Sequence, residues 1–254
     1  MRIEPLTVNI GAQIHDVDLA TADASTFNDI QNSLWQHQVL VFRGQSLTRD
    51  SQLALGRRFG ELHVHPALSY RDEHPEELIL KNRGKSKTVT EVWHSDVSCD
   101  DRPPSISILR AVDVPEFGGD TLWASQYAAF EALSEGLRNL LRPMNAVHIN
   151  YQLAATHPVV RKHPETGREA LYVNAGFTQY FENMTREESW PLLNYLVSVG
   201  SSSDISMRHR WQRNDVVMWD NRCVMHFAVH DYGDTAREMR RVTVRGEVPL
   251  GSKK

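Results

Sequence analysis

Trp93-His94-Ser95-Asp96 sets an imidazole and a carboxylate two residues apart. On an extended segment such residues project to the same side, so His94 and Asp96 can face one site. They supply two corners of a 2-His-1-carboxylate set, which holds Fe(II) through three cis ligands and leaves positions open for a co-substrate and O2. The third corner requires a distant histidine. His148, His157, His163, His209, His226 and His230 all lie downstream, and spacing alone does not choose among them. His63 and His65 form a His-x-His pair that competes on residue type. Beyond His226 comes a cationic cluster, Arg237, Arg240, Arg241 and Arg245. An arginine fork grips a carboxylate or sulfonate through two parallel hydrogen bonds. Each hydrogen bond to a charged group contributes about 1.5–3 kcal/mol, enough to orient a small anion.

Residues this far apart must be brought together by the elements between them. Phe27, Ile30 and Leu34 recur at helical spacing over 24–37, followed by the apolar strand Val39–Phe42. Thr48 caps a predicted helix over 48–59. Ser125 caps another over 125–142, where Phe130, Leu133, Leu137 and Leu140/Leu141 form one face. Thr185 and Glu188 read as a capping box for a helix over 186–198, although Pro191 moves the expected start toward Ser189. Ser105–Val112, Asp120–Ala124, Glu169–Asn174, Asp215–Asp220 and Arg240–Val248 read as strands, with turns at Phe117–Asp120, Pro164–Gly167 and Tyr232–Asp234. In the last strand Arg241, Thr243 and Arg245 alternate with Val242 and Val244, so one face is apolar and the other can line a polar cavity. Helices do not alternate one for one with strands, and no Gly-x-Gly-x-x-Gly follows a strand, which argues against a parallel βαβ sheet. A mainly β jelly roll with accessory helices fits the pattern.

Composition narrows the class. A formal charge of −4 argues against a nucleic-acid binder, which needs a concentrated positive footprint. No apolar run approaches a membrane span and no h-region opens the chain, so a cytoplasmic protein is expected. Cys99 and Cys223 cannot build a disulfide framework and read as small buried residues. At 254 residues without an internal linker, the chain is expected to form one domain, 1–254.

Several co-linear motifs carry a family resemblance. They are Ile10–Ile14, His37–Arg43, Phe59-Gly60-Glu61-Leu62-His63-Val64-His65-Pro66, Trp93–Asp96, Gly118–Ser125, His157–Arg161, Trp219-Asp220-Asn221-Arg222 and Arg237–Val244. In this order they resemble the TauD/TfdA-type (taurine dioxygenase) family of Fe(II)- and 2-oxoglutarate-dependent dioxygenases. The resemblance implies a double-stranded β-helix (cupin-like jelly roll). It implies Fe(II) on His94, Asp96 and His226, and 2-oxoglutarate with its remote carboxylate on Thr121 and Arg237. It further implies an anionic substrate head on His65 and Arg241, Phe177 as a pocket aromatic, O2 as co-substrate, and a dimer or tetramer. The reaction implied is oxidative decarboxylation of 2-oxoglutarate to succinate and CO2, coupled to hydroxylation of a substrate C–H. Sulfonates, alkyl sulfates and aryloxy or other carboxylic acids all match such a site.

Two departures separate the chain from taurine-specific members. Val89 stands in Thr88-Val89-Thr90-Glu91 where an acidic amine contact is expected, leaving Glu91 as the acidic side chain nearby, and the stretch from Met144 to His157 is short. His230, four residues past His226, competes for the ligand role if both lie on one strand. The alternatives are a hydrolase using the same ligands around Zn, which leaves Arg237 and Thr121 without a role, and a binding module that has lost catalysis.

Overall fold

The computed structural model describes residues 1–65, 74–82, 91–150 and 152–252. Its centre is a seven-stranded sheet. In chain order the contributing strands are β1 (Arg2–Pro5), β2 (Ala12–His15), β3 (Val39–Phe42), β4 (Glu77–Asn82), β5 (Ile106–Asp113), β13 (Val216–Asp220) and β15 (Arg237–Val244). In space they lie in the order β1-β2-β3-β13-β5-β15-β4, antiparallel except for the β2–β3 pair. A three-stranded sheet, β12 (Ser206–His209), β6 (Thr121–Ser125) and β14 (Val224–Ala228), faces it. Val39, Val41, Leu109, Val217, Trp219 and Met239 from the large sheet meet Trp123, Met207 and Val224 from the small one in a single buried cluster. This is the jelly roll that the residue pattern predicts.

The other face of the large sheet is buried as well. Leu40, Phe42, Ile106, Ile108, Val216 and Met218 point outward onto Phe27, Ile30 and Leu34 of α1 (Ala24–His37) and Leu55 of α2 (Arg49–Phe59). A strand covered on both faces must be apolar at every position, which accounts for the unbroken Val39–Phe42 run. Thr48 caps α2 as expected, in a capping box with Ser51.

A third cluster joins α3 (Gln126–Glu131), α4 (Glu135–Leu141) and α5 (Arg186–Gly200) to the sheets β11-β7-β8 and β10-β9. These strands are β7 (Asn145–Asn150), β8 (Leu153–Pro158), β9 (Val160–Lys162), β10 (Glu169–Leu171) and β11 (Thr178–Phe181). Here the sequence expectation needs correction. The helix expected over 125–142 is two helices. Ser125 caps the first, and Ser134 accepts from the Leu137 amide to cap the second. Leu133 lies between them, while Leu140 is exposed. Helix α5 begins at Arg186 with its Thr185/Glu188 box formed, and Pro191 is accommodated inside it. The last strand starts at Arg237 and ends at Val244, earlier at both ends than predicted, and the Glu169 strand stops at Leu171. Among the described residues no helix is long and apolar enough to cross a membrane.

Candidate active site

Two backbone hydrogen bonds assemble the site. The His94 amide donates to the His226 carbonyl at 3.1 Å and the His226 amide returns the bond at 2.8 Å. This isolated bridge joins the loop after residue 91 to β14 and sets the two rings side by side, with centroids 4.1 Å apart. After His94 the chain turns rather than continuing as a strand, with Val97 at φ 45°. Asp96 Oδ1 comes within 3.7 Å of His226 Nε2 and 4.0 Å of His94 Nε2. Taking one donor atom from each residue, the three lie within 4.8 Å of one another, and all three residues are buried.

Their protonation suits a divalent cation. Burial, then the neighbouring His94, pushes the His226 imidazole well below its ordinary range. Burial also lowers His94, against the pull of Asp96. Burial pushes the Asp96 carboxyl up, but Arg241, the two imidazoles and the Ser107 hydroxyl outweigh it and hold the group below the usual carboxylate range. Two neutral imidazoles and an ionised carboxylate are the donor set of a non-haem iron centre. His94 Nδ1 lies 2.7 Å from the Val92 carbonyl; donating its proton there leaves Nε2 as the free lone pair.

Strand β15 supplies the cations. Its period-two alternation turns Arg237 and Arg241 between the sheets, beside Met239, while Arg240 faces away and pairs with Glu77 and Glu238. Arg245 lies past the strand and meets Glu61. Arg237 is buried, and among the described residues its Nε has no hydrogen-bond partner and no carboxylate forms an ion pair with it. Such a guanidinium is set for an anion from outside the chain. Thr121, at the start of β6, accepts from Trp211 Nε1 at 2.9 Å, so its own proton remains for another acceptor. Gly119, at φ 71°, makes room: a Cβ there would approach Arg237 Cδ to 3.3 Å. Arg237 Nε, without a partner among the described residues, and the Thr121 hydroxyl suit a carboxylate such as the remote one of a dicarboxylic co-substrate.

Arg241 donates to Asp96 Oδ1 at 2.5 Å. His65 is half-buried and pushed down to about 4, by burial first and then by the Arg241 and His63 charges. It is therefore a neutral donor or acceptor near pH 7. Phe177 presents its ring edge-on to His94, with centroids 6.3 Å apart. The Phe177 loop is fastened by Asn174, whose Oδ1 accepts from the Gly176 and Phe177 amides. Gly176 allows the close approach, since a Cβ there would lie 2.9 Å from His94 Cβ.

The other histidines lie elsewhere. His63 is packed, 3.8 Å from Asp100. His230 falls beyond the end of β14, hydrogen-bonds Glu91 at 2.8 Å and stacks on Tyr232, so it does not share a strand face with His226. His148 meets Ser98 and Thr178, His157 the Asp100 carbonyl, and His209 the Asp215 carboxylate. His163, Asp220 and Cys223 also cluster, but this is a hydrogen-bonded core. Two amides donate to His163 Nδ1, so its Nε2 proton goes to Asp220, whose oxygens are gripped by Arg222. Thr88, Val89 and Thr90 lie outside the described residues. The short stretch after Met144 is the β7–β8 hairpin, paired out to Asn150↔Leu153.

Sequence reasoning missed Ser107 and gave Asn221 no role. Both sit against Asp96. The available signal was a serine at an inward-facing position of the apolar strand Ile106–Leu109.

Buried neutral imidazoles also set an acid limit. His148 is pushed down to about 3, by burial and then by His157. In the unfolded chain a histidine titrates near ~6.5, so below that pH the unfolded state binds a proton that the folded state refuses. Stability is complete above about pH 6.5 and falls as the pH drops, by about 1 kcal/mol per pH unit for each such group. The urea midpoint of the metal-free protein is therefore expected to decline from pH 7 to pH 5. An unchanged midpoint with unchanged slope would contradict the burial of these groups.

Residues 2–243 match the family described as taurine catabolism dioxygenase TauD, TfdA family. The chain is 36% identical to an alpha-ketoglutarate-dependent sulfate ester dioxygenase of Pseudomonas putida, over 98% of this chain and 91% of that protein. It is 34% identical to an alkylsulfatase of Acinetobacter baylyi, over 99% of this chain and 87% of the relative. A crystal structure of a taurine dioxygenase from Burkholderia xenovorans superposes with a TM-score of 0.90 at 36% identity, covering 98% of this chain and 92% of that one. The chain belongs to the TauD/TfdA family of dioxygenases, which use Fe(II), 2-oxoglutarate and O2.

Proposed function

We propose that the chain works as one dioxygenase domain that hydroxylates a small organic sulfate ester or sulfonate, with Fe(II) held by His94, Asp96 and His226. The observation that carries this reading is the convergence of two neutral imidazoles and one ionised carboxylate beside two inward-facing arginines. Bound Fe(II) with 2-oxoglutarate supplies the O2-driven decarboxylation that gives succinate, CO2 and an oxidant for a substrate C–H. The chain's own residues bind and orient. Arg237 and Thr121 take the remote carboxylate of 2-oxoglutarate, Arg241 and His65 take the substrate head, and Phe177 walls the reacting carbon.

His65, neutral near pH 7, and Arg241, which also bonds Asp96, are the two groups assigned to donate to the oxygens of a sulfate ester or sulfonate head. Similarity to a sulfate ester dioxygenase and an alkylsulfatase favours the ester. Hydroxylation at the carbon bearing the sulfate gives an adduct that collapses to an aldehyde and free sulfate. The resemblance also supports a cytoplasmic homo-oligomer.

The test is succinate and sulfate release with Fe(II), 2-oxoglutarate and O2 across alkyl sulfates, alkyl sulfonates, taurine and aryloxy acids. Alkyl sulfates are expected to stimulate succinate formation most, with one sulfate per succinate. Greater stimulation by taurine or an aryloxy acid would overturn the ester assignment.

A further inference from the structure

The Trp219-Asp220-Asn221-Arg222 motif has a purpose that metal and co-substrate ligation leave unexplained. It forms the end of β13 and the turn into β14, the strand that carries His226. Trp219 Nε1 donates to Asn221 Oδ1 at 2.8 Å, Asn221 Nδ2 donates to Ser107 Oγ at 2.7 Å, and Ser107 Oγ donates to Asp96 Oδ2 at 2.7 Å. All four residues are buried.

Elementary donor chemistry fixes the direction of this relay. An indole N–H only donates, so the Asn221 oxygen must face Trp219 and its NH2 must face Ser107. The Ser107 oxygen is thereby an acceptor from Asn221, and its single proton is left for Asp96. The Asp96 amide closes the arrangement with a longer contact to Asn221 Oδ1, 3.4 Å. One carboxylate oxygen is thus occupied from behind. The other, Oδ1, faces His94 Nε2, His226 Nε2 and Arg241.

We infer that Ser107 and Asn221 are positioning residues that lock the Asp96 carboxylate with Oδ1 toward the metal, leaving Oδ2 committed to Ser107. This rests on the proposed iron site. A carboxylate presented through one oxygen keeps open the metal positions that co-substrate and O2 need. Outer partners of metal ligands typically contribute about 10–100-fold in metal affinity.

The experiment is Co(II) affinity, measured by equilibrium dialysis on the full chain without co-substrate. The variants are Asp96→Ala, Ser107→Ala, Asn221→Ala and the Ser107→Ala/Asn221→Ala double variant, each with its metal-free melting temperature. Asp96→Ala is expected to lose binding, and Ser107→Ala to weaken it roughly 10–100-fold. Asn221→Ala acts through Ser107, so its effect should largely vanish when Ser107 is already absent. Ser107→Thr, which keeps the hydroxyl, should restore much of the affinity. A merely structural role would lower the melting temperature of the single variants additively without this coupling in metal affinity. Wild-type affinity in Ser107→Ala, or an undiminished Asn221→Ala effect in its background, overturns the relay alone. Wild-type binding that survives Asp96→Ala overturns the iron site as well.

Discussion

His226→Ala is expected to abolish Fe(II)-dependent succinate formation, whereas His230→Ala retains most of it. Losing one of the three proposed ligands in a buried site should cost far more than the roughly 10–100-fold typical of losing a ligand's outer partner. The contrast is sharp because the two residues are four apart yet structurally unrelated. His226 is drawn to His94 by the paired backbone bridge, while His230 lies past the strand, on Glu91 and Tyr232. Initial rates at saturating 2-oxoglutarate, together with Co(II) uptake, read the effect directly. Inactivity of His230→Ala with activity in His226→Ala would mean that the ligand set is wrong.

The second large effect separates the two buried arginines. Arg237→Ala is expected to raise the half-saturating concentration of 2-oxoglutarate by about 100-fold or more. Two hydrogen bonds to a charged carboxylate, at about 1.5–3 kcal/mol each, would be lost. Arg237→Lys should recover little, since a point charge does not reproduce the fork. Arg241→Ala should instead raise the substrate requirement more than the 2-oxoglutarate requirement. Part of its effect will reach the metal, because Arg241 also bonds Asp96. Equal shifts in both requirements from both variants would show that the two arginines share one ligand. Substrate dependence of succinate formation at several 2-oxoglutarate concentrations resolves the alternatives.

Local chemistry was legible in the sequence where it stayed local. Thr48 and Thr185 announce helix starts because a cap acts within one turn. The 125–142 helix misleads because Phe130 and Leu133 keep a helical spacing across a break that Ser134 recaps. His94 and Asp96 were visible through their spacing, but the choice of His226 depends on a bridge between segments over 130 residues apart, which no periodicity encodes. There the family resemblance supplied what spacing left open. The arginine cluster was half legible. Strand alternation separates Arg241 from Arg240, whereas Arg237 lay outside the strand as predicted, and its lack of a carboxylate partner among the described residues appears only once the chain has folded. Asn221 was visible as part of a motif, yet its task is defined by Ser107 and Asp96 on other segments.

The most direct test of the iron and co-substrate assignment is a crystal structure with Mn(II) and N-oxalylglycine, an inert analogue of 2-oxoglutarate. The account predicts a single anomalous peak bounded by His94 Nε2, His226 Nε2 and Asp96 Oδ1, with the analogue's remote carboxylate on Arg237 and Thr121. A metal bound elsewhere, or that carboxylate seated on Arg241 with Arg237 untouched, would contradict it.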